Sequence, residues 1–509
     1  MSRNSSKSWW LAGPLILGLL LVSLGLGCLG RGYNYDEGQF VAAGALFARE
    51  GLLPYLDYPY FHLPNLVFVY AALFTTNDFL LLTARSFNIV CAWVLLLLIY
   101  RMVAAAFGAM GEKRWLIAAA VTLFFALQPI FRFTAGRAWN HDFAMLASVA
   151  AFACLLRAIE PDAGRRWMAA SGVLLGLASG TRLTFLPLVA PFFLLALTLP
   201  GSVSARYRGA LRLAAGFGVA LLPTLALFAA APAAFIFDNF TANGSLNISY
   251  RQATKPRPIL LQKLLYPVQE LKRPATLVLV AGFLVFACWQ PLRRDWRAAL
   301  RWPPLAATLV ILPFALFGAV MPTPSYRQYY YLPLPFLLLG AVYGVARLYQ
   351  AQPYHRRIFI GLGLALLISL GHFASNLRSF EELTSPERWA VFSLHRAGQE
   401  LARHAGPGPV LTLEPLVPLE GGARIFPQFA TGMFAWRIAP FATAGERQAH
   451  DFVGPEELPG LLQTTPPAAI FERTPQSALE EPLVRHARDN GYSEIILPEE
   501  AGFLLLPPP

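Results

Sequence analysis

The sequence predicts an all-α polytopic membrane protein of about eleven transmembrane helices, with a small C-terminal α/β extracytoplasmic domain. Three observations lead there. The 509 residues are 56% hydrophobic and only 14% charged, well below the roughly 25% charge of a soluble domain, and the mean hydropathy is +0.48. Apolar runs near the 20 residues that span a bilayer recur as far as Phe373. From Ala374 onward the composition turns polar.

Trp9 to Gly30 forms the first span, with Arg3 and Lys7 holding the N-terminus in the cytoplasm. CLGRGY is a poor cleavage site, so this helix is expected to be retained. The first outer loop, Arg31 to Asn65, follows, and then a shorter apolar patch, Leu66 to Phe74, reads as an interfacial helix. Leu80 to Phe107 crosses inward to Lys113 and Arg114; Trp115 to Phe131 crosses outward to the turn RFTAGRAWNHD. His141 and Asp142 open the next crossing, which ends at Arg157.

Trp167 to Leu199 is too long for one crossing and breaks at SGTR, so it is expected to make a hairpin with Arg182 at its outer turn. Leu213 to Ala230 leads to a second outer loop, 231–273. Pro274 to Gln290 returns to Arg293 and Arg294; Trp302 to Val320, Gln328 to Tyr349 and Ile358 to Phe373 complete the bundle. Basic residues mark each inner loop, as the positive-inside rule requires. The domains are therefore expected at 1–373, in the membrane, and 374–509, outside it. In the latter, Glu381 and Glu382 open the polar region, Trp389 to His404 reads as an amphipathic helix, and VLTLE, AAIFE and SEIILPE as strands around a helical stretch, Ala478 to Asn490. The final FLLLPPP carries no readable chemistry.

The net charge of +12 comes from 41 Lys and Arg against 29 Asp and Glu. Much of it sits in short loops beside apolar runs, and there is no zinc-finger spacing or compact basic domain. Nucleic acid is therefore not an expected partner. The four cysteines, Cys28, Cys91, Cys154 and Cys288, all fall in apolar runs and read as packing residues.

On this topology Asp36, Glu37, Asp57, His62, Arg85, Arg132, Arg137, His141, Asp142, Arg182 and Arg327 are expected at or near the outer face. Guanidiniums bind phosphate through a planar fork, and carboxylates deprotonate a hydroxyl or hold a cation. Both together suit a lipid phosphate as leaving group and a hydroxyl or amine as nucleophile, with Tyr35 and Trp139 able to stack on a sugar. Structural readings stand beside these. Asp142 suits the N-cap of its own helix, Arg182 a snorkelling interfacial side chain, Arg327 an anchor beside Tyr329 to Tyr331, and His62 a backbone hydrogen bond near Pro64. The first outer loop alone also reads as an aromatic belt with interfacial carboxylates.

An outward DE pair after the first helix, then G-x-x-PY-x-D with HLPN, resembles the polyprenyl-phosphate-sugar-dependent glycosyltransferases of the GT-C class. The bacterial relatives of protein O-mannosyltransferases (glycosyltransferase family 39-like), and the aminoarabinose and lipopolysaccharide-core transferases, are the groups it is most similar to. NHD at Asn140 to Asp142, the glycine run Gly172 to Arg182, and SYRQYYYLPLPFLLLG at Ser325 to Gly340 agree with it.

The resemblance implies a GT-C-like fold and transfer of a sugar, with inversion, from a polyprenyl-phosphate donor to a lipid, glycan or protein acceptor of the cell envelope. The setting would be the outer face of a bacterial inner membrane, among membrane lipids. Asp36 would activate the acceptor with support from Glu37, Asp142 would be the second acidic position, and Arg182, Arg327 and Tyr330 would hold the donor phosphate. Tyr35, Asp57, His62 and Trp139 would contact acceptor or sugar. A divalent metal ion (Mg, Mn or Zn) is optional, with Asp36, His141 and Asp142 as its candidate ligands. A lipid-linked polysaccharide polymerase or ligase, and a transporter or flippase without covalent chemistry, are the rival readings.

Overall fold

The computed structural model describes residues 9–160, 166–198, 202–256, 258–290, 296–297, 301–351, 355–374, 385–473, 478–497 and 502–508. Arg3, Lys7, Arg165, Arg293, Arg294, Glu381 and Glu382 lie outside them, as does much of the junction between the two expected domains.

Among the described residues, five helices are long and apolar enough to cross a membrane: Leu11–Leu29, Leu80–Ala106, His141–Ile159, Pro303–Val320 and Arg327–Gln350. Two more candidates are pairs bent by 57° (Val203–Ala220 with Leu222–Ala230) and by 94° (Ile259–Leu271 with Pro274–Trp289). Prolines account for the interruptions. Leu222 is followed at once by Pro223 and Arg273 by Pro274, and a proline ring cannot sit in an unbroken helix without losing a hydrogen bond. The expected span Trp115 to Phe131 divides in the same way, into Lys113–Ala126 and Pro129–Thr134.

In chain order the first part runs α1 (Trp9–Leu29), α2 (Tyr35–Glu50), α3 (Asn65–Phe74), α4 (Leu80–Ala106), α5 (Lys113–Ala126), α6 (Pro129–Thr134), α7 (His141–Ile159) and α8 (Arg166–Thr181). After a 3-10 stretch, Leu183–Leu188, come α9 (Val189–Thr198), α10 (Val203–Ala220) and α11 (Leu222–Ala230). The hairpin expected at Trp167 to Leu199 is thus present, with Arg182 in extended conformation at its break. The glycine run has a packing role. A methyl at Gly172 would stand 2.1 Å from the Leu213 carbonyl oxygen, and one at Gly176 2.6 Å from that of Phe217, so α8 and α10 meet backbone to backbone.

Neither segment expected as an outer loop is irregular throughout. Loop 31–65 contains α2, whose start carries a capping box: the Asn34 side chain accepts from Asp36 N and Glu37 Oε2 accepts from Asn34 N. Loop 231–273 is largely helical, running through Pro232–Ile236, a π-helical stretch Phe237–Leu246, Asn247–Thr254 and the start of the bent pair. Expected as a loop between spans, the segment is helical and lies on the protein, with Phe235, Phe237, Ala242 and Leu246 buried.

The C-terminal region folds as expected into helices around a sheet of β1 (Val410–Thr412), β2 (Ala469–Glu472), β3 (Ser493–Ile496) and β4 (Phe503–Leu506), in the order β1-β2-β4-β3. β1 and β2 are parallel, and β4 runs antiparallel to both its neighbours. The terminal FLLL is therefore an internal strand. Its run of apolar residues suits a strand covered on both faces, a pattern that does not alternate. The sheet region is docked tightly on the bundle. The Glu420 carboxylate accepts from the Leu80 and Leu81 amides at the start of α4, and also from His395 in the helix Ala390–His404. Arg49 of α2 donates to the Leu419 carbonyl, and Tyr33 donates to Glu414.

Candidate functional site

A cavity of about 370 Å³ opens where α2, the loop before α7, the break after α8, the helical segment 237–247, residues 321–329 and the C-terminal helix Met433–Ile438 converge. It is built from distant parts of the chain, and its walls combine aromatic rings with a few convergent polar groups, as small-molecule sites do.

Asp36 projects into it from the first turn of α2. Its backbone amide is held by Asn34, while its carboxylate accepts no hydrogen bond from the described residues. Burial raises its pKa to about 6, against the lowering pull of Arg437, Arg137 and Arg182. Its neighbour Glu37 points the other way. Glu37 is fully buried and bonded to Arg85 at 2.7 and 2.9 Å, and it also accepts from the Ala138 amide at 2.8 Å. Burial opposes its charge, but Arg85 and the Ala138 N–H outweigh that and hold its pKa below the usual carboxylate range. Arg85 in turn donates to the carbonyls of Cys28, Arg31 and Gly32. Glu37 thus knits α1, α2, α4 and the 138 loop together, and aims Asp36 at the cavity.

Arg182, 6% exposed, also lines the cavity. Nη1 donates to Asn140 Oδ1 at 2.5 Å, Nε donates to Thr184 Oγ1 at 3.0 Å, and the guanidinium lies 4.9 Å from the Tyr329 ring centre. It forms no ion pair among the described residues. Burial this deep removes the snorkelling reading and leaves a charge that neutral groups orient without cancelling. His62 also lines the cavity, its ring 4.7 Å from that of Phe40; burial, aided by the Arg182 charge, pushes its pKa down to about 3, so it is neutral. Tyr35, Trp139 and His141 complete the set of expected residues on the wall. The Trp139 indole N–H and both ring nitrogens of His141 are buried without a protein partner, as is Asn247 Oδ1. Native structures rarely leave such atoms unpaired, and here they face space a polar ligand can fill.

Besides Glu37, four expected residues lie outside the cavity wall. Asp142 accepts from the Gly136 amide at 2.7 Å and from the Tyr331 hydroxyl at 3.2 Å, linking the 136 turn to the late helix. It is no N-cap, since Asn140 holds that position without a side-chain bond. Arg327 pairs with Glu270 at 2.5 Å. Tyr330 donates to the Lys263 carbonyl at 3.0 Å. Asp57 is exposed and accepts from the Leu53 amide within its own turn.

Of the three metal-ligand candidates, Asp36 and His141 reach the cavity while the Asp142 carboxylate is engaged elsewhere. Among the described residues no three His, Cys, Asp or Glu gather in a metal-ligating group. The donor set among the described residues therefore does not fit a resident divalent ion.

Sequence reasoning missed several wall residues. Asn239, Asn243 and Asn247 recur every four residues, a spacing that puts them on one helical face and was readable. Arg437 is a single charge inside the apolar run MFAWRI, also a visible signal. Tyr326 and Tyr329 stood inside the aromatic stretch already noted.

No family model and no curated protein matches the chain. Solved structures do. ArnT from Cupriavidus metallidurans in the apo state matches over 98% of both chains, with a TM-score of 0.61 at 13% identity. The same protein bound to undecaprenyl phosphate gives 0.57 at 13% identity, again over 98% of both chains. The archaeal oligosaccharyltransferase AglB from Archaeoglobus fulgidus, in complex with an inhibitory peptide and a dolichol-phosphate, gives 0.50 at 12% identity over 99% of this chain and 75% of that one. At such identities the likeness is one of fold. The chain is a multi-pass membrane protein with the GT-C architecture and a small C-terminal sheet.

Proposed function

We propose that the protein transfers a sugar from a polyprenyl-phosphate-linked donor to an acceptor hydroxyl or amine on a cell-envelope lipid, glycan or protein. The observation that carries this reading is the pairing, in one cavity, of the unbonded Asp36 carboxylate with the buried Arg182 guanidinium that no acid neutralises. Fold likeness to proteins solved with undecaprenyl phosphate and dolichol-phosphate supports a lipid phosphate as donor.

In the proposed reaction Asp36 accepts the proton of the acceptor as its oxygen or nitrogen attacks the anomeric carbon. The bond from that carbon to the phosphate oxygen breaks, and the lipid phosphate departs with the bonding electron pair. A single displacement of this kind inverts the anomeric centre. Arg182 offsets the charge that grows on the leaving phosphate, from a position fixed beforehand by Asn140 and Thr184. Tyr35 and Trp139 offer ring faces to the sugar; His141 and Asn247 offer it polar atoms. Glu37 acts through Asp36 as a positioning residue. The polyprenyl tail lies among the helices, which is why the chemistry belongs in a membrane protein.

We place the site on the extracytoplasmic side of a bacterial inner membrane, with the N-terminus cytoplasmic. The support is that Lys113, Arg114, Arg157 and Arg206 flank helix ends opposite to those carrying Asp36 and Arg182. Replacing Asp36 with Asn tests the reading: purified protein should stay folded and lose sugar transfer, and retained turnover would remove Asp36 from the mechanism.

A further inference from the structure

Two more guanidiniums, one on the cavity wall and one on a helix that begins at that wall, are left unused by the proposed reaction. Arg437 comes from the C-terminal helix Met433–Ile438 and lines the cavity wall; it is 9% exposed. Arg251 comes from Asn247–Thr254, whose first residue lines the same wall. Arg437 lies 4.6 Å from the ring centre of Phe434 and 5.2 Å from that of Tyr250, the residue next to Arg251. Arg251 lies 5.0 Å from the Tyr326 ring centre and donates to that tyrosine's hydroxyl. The Nε of each is buried without a partner, and neither forms an ion pair among the described residues.

Two like charges close enough to feel each other, one buried and one half-buried, are costly unless something compensates. The field of Arg437 acts on Arg251 in that sense, adding to burial. Ring faces offset part of the cost, but they leave the N–H groups at each Nε unsatisfied. Asp36 is the carboxylate whose field reaches Arg437, and it also carries that of Arg182. One half-buried carboxylate therefore lies in the fields of three guanidiniums, Arg437, Arg137 and Arg182. The compensation that fits is an anion with oxygens on several faces, received by two planar forks from separate helices, which describes a phosphoryl group.

We propose that Arg251 and Arg437 form a second phosphoryl-binding site, beside Asp36 and separate from the seat of Arg182. The tyrosines divide the two seats: Arg182 stacks on Tyr329 and Arg251 on Tyr326, with ring centres 5.6 Å apart. Resting on the transferase reading, this makes the substrates carry two phosphoryl groups between them. The second belongs either to a phosphorylated acceptor or to a donor linked through a diphosphate.

The test uses the purified full chain in detergent, with inorganic phosphate, undecaprenyl phosphate and undecaprenyl diphosphate as probes, and the variants Arg251→Gln, Arg437→Gln and, as control, Arg182→Gln. With an acceptor phosphate, protein saturated with undecaprenyl phosphate still binds inorganic phosphate, and either Gln variant of the pair weakens that by about tenfold or more. With a diphosphate donor, the wild type prefers undecaprenyl diphosphate over the monophosphate, and the same variants abolish the preference. Either result supports the site. Changes below about twofold in both arms, or an equal loss of undecaprenyl phosphate binding itself, overturn it. If a Gln variant fails to fold, Arg251→Lys and Arg437→Lys are read in its place; they keep the charge without the fork and should show a smaller loss in the same arm. A wild type that binds inorganic phosphate through this pair, insensitive to Arg182→Gln, but never binds undecaprenyl phosphate keeps the second site and sinks the transferase reading.

Discussion

Glu37 and Arg85 form a fully buried, doubly hydrogen-bonded ion pair, and every remaining acceptor or donor around it is a backbone group of the end of α1, the segment that follows it or the 138 loop. A buried pair so completely satisfied costs little while intact and much when halved. Glu37→Gln should destabilise the protein by about 3 kcal/mol or more, because it strands the Arg85 charge. Thermal unfolding in detergent measures this; an unchanged midpoint would mean that water reaches Arg85.

Activity should depend on pH through Asp36. Burial raises its pKa to about 6, so below that pH the carboxyl is protonated and unable to accept the acceptor's proton. Turnover should rise as pH increases through about 6 and then level. Asp36→Asn should lower kcat by about a hundredfold or more, the usual range for a lost general base, and should remove this limb of the profile.

Arg182→Ala should weaken the lipid-phosphate donor more than the acceptor. The loss expected for a charged hydrogen-bonding partner is about 1.5–3 kcal/mol. Separate KM values for the two substrates check it, and equal losses would argue against a phosphate role. Arg182→Lys should recover only part, since an ammonium lacks the fork held by Asn140 and Thr184.

Arg327 offers a contrast. It is paired with Glu270 and stands outside the cavity wall, so Arg327→Ala should leave donor affinity within about twofold. A loss matching that of Arg182→Ala would restore Arg327 to the phosphate site.

Exhaustive chelation should leave turnover unchanged, because the Asp142 carboxylate is engaged by Gly136 and Tyr331 and no three-ligand group exists among the described residues. Loss on chelation, with recovery on adding Mg, Mn or Zn, would show the opposite.

What was legible in the sequence followed from local rules. The apolar runs, the hairpin broken at Arg182 and the strands at Val410, Ala469 and Ser493 all declare themselves through composition and period. Asp36 and Glu37 stood out as adjacent acids after a membrane helix, but nothing local says that one faces the cavity and the other faces Arg85. That division depends on the rotation of α2, which packing against α4 and the 138 loop decides. Arg182 and Arg327 look alike in sequence and differ because a glutamate 57 residues away neutralises only the second. The helical character of 231–273 was hidden by polar residues that turn out to line the cavity.

The Glu420 carboxylate closes the start of α4, and Arg437 lies seventeen positions further along the same C-terminal region. During synthesis the longest helix of the bundle is made more than three hundred residues before the group that satisfies its leading amides. Until the last fifth of the chain arrives, that end of α4 must be hydrated or held by other molecules, and one wall of the cavity is missing. Closure of the start of α4 and completion of the cavity wall thus both depend on the segment that carries Glu420 and Arg437.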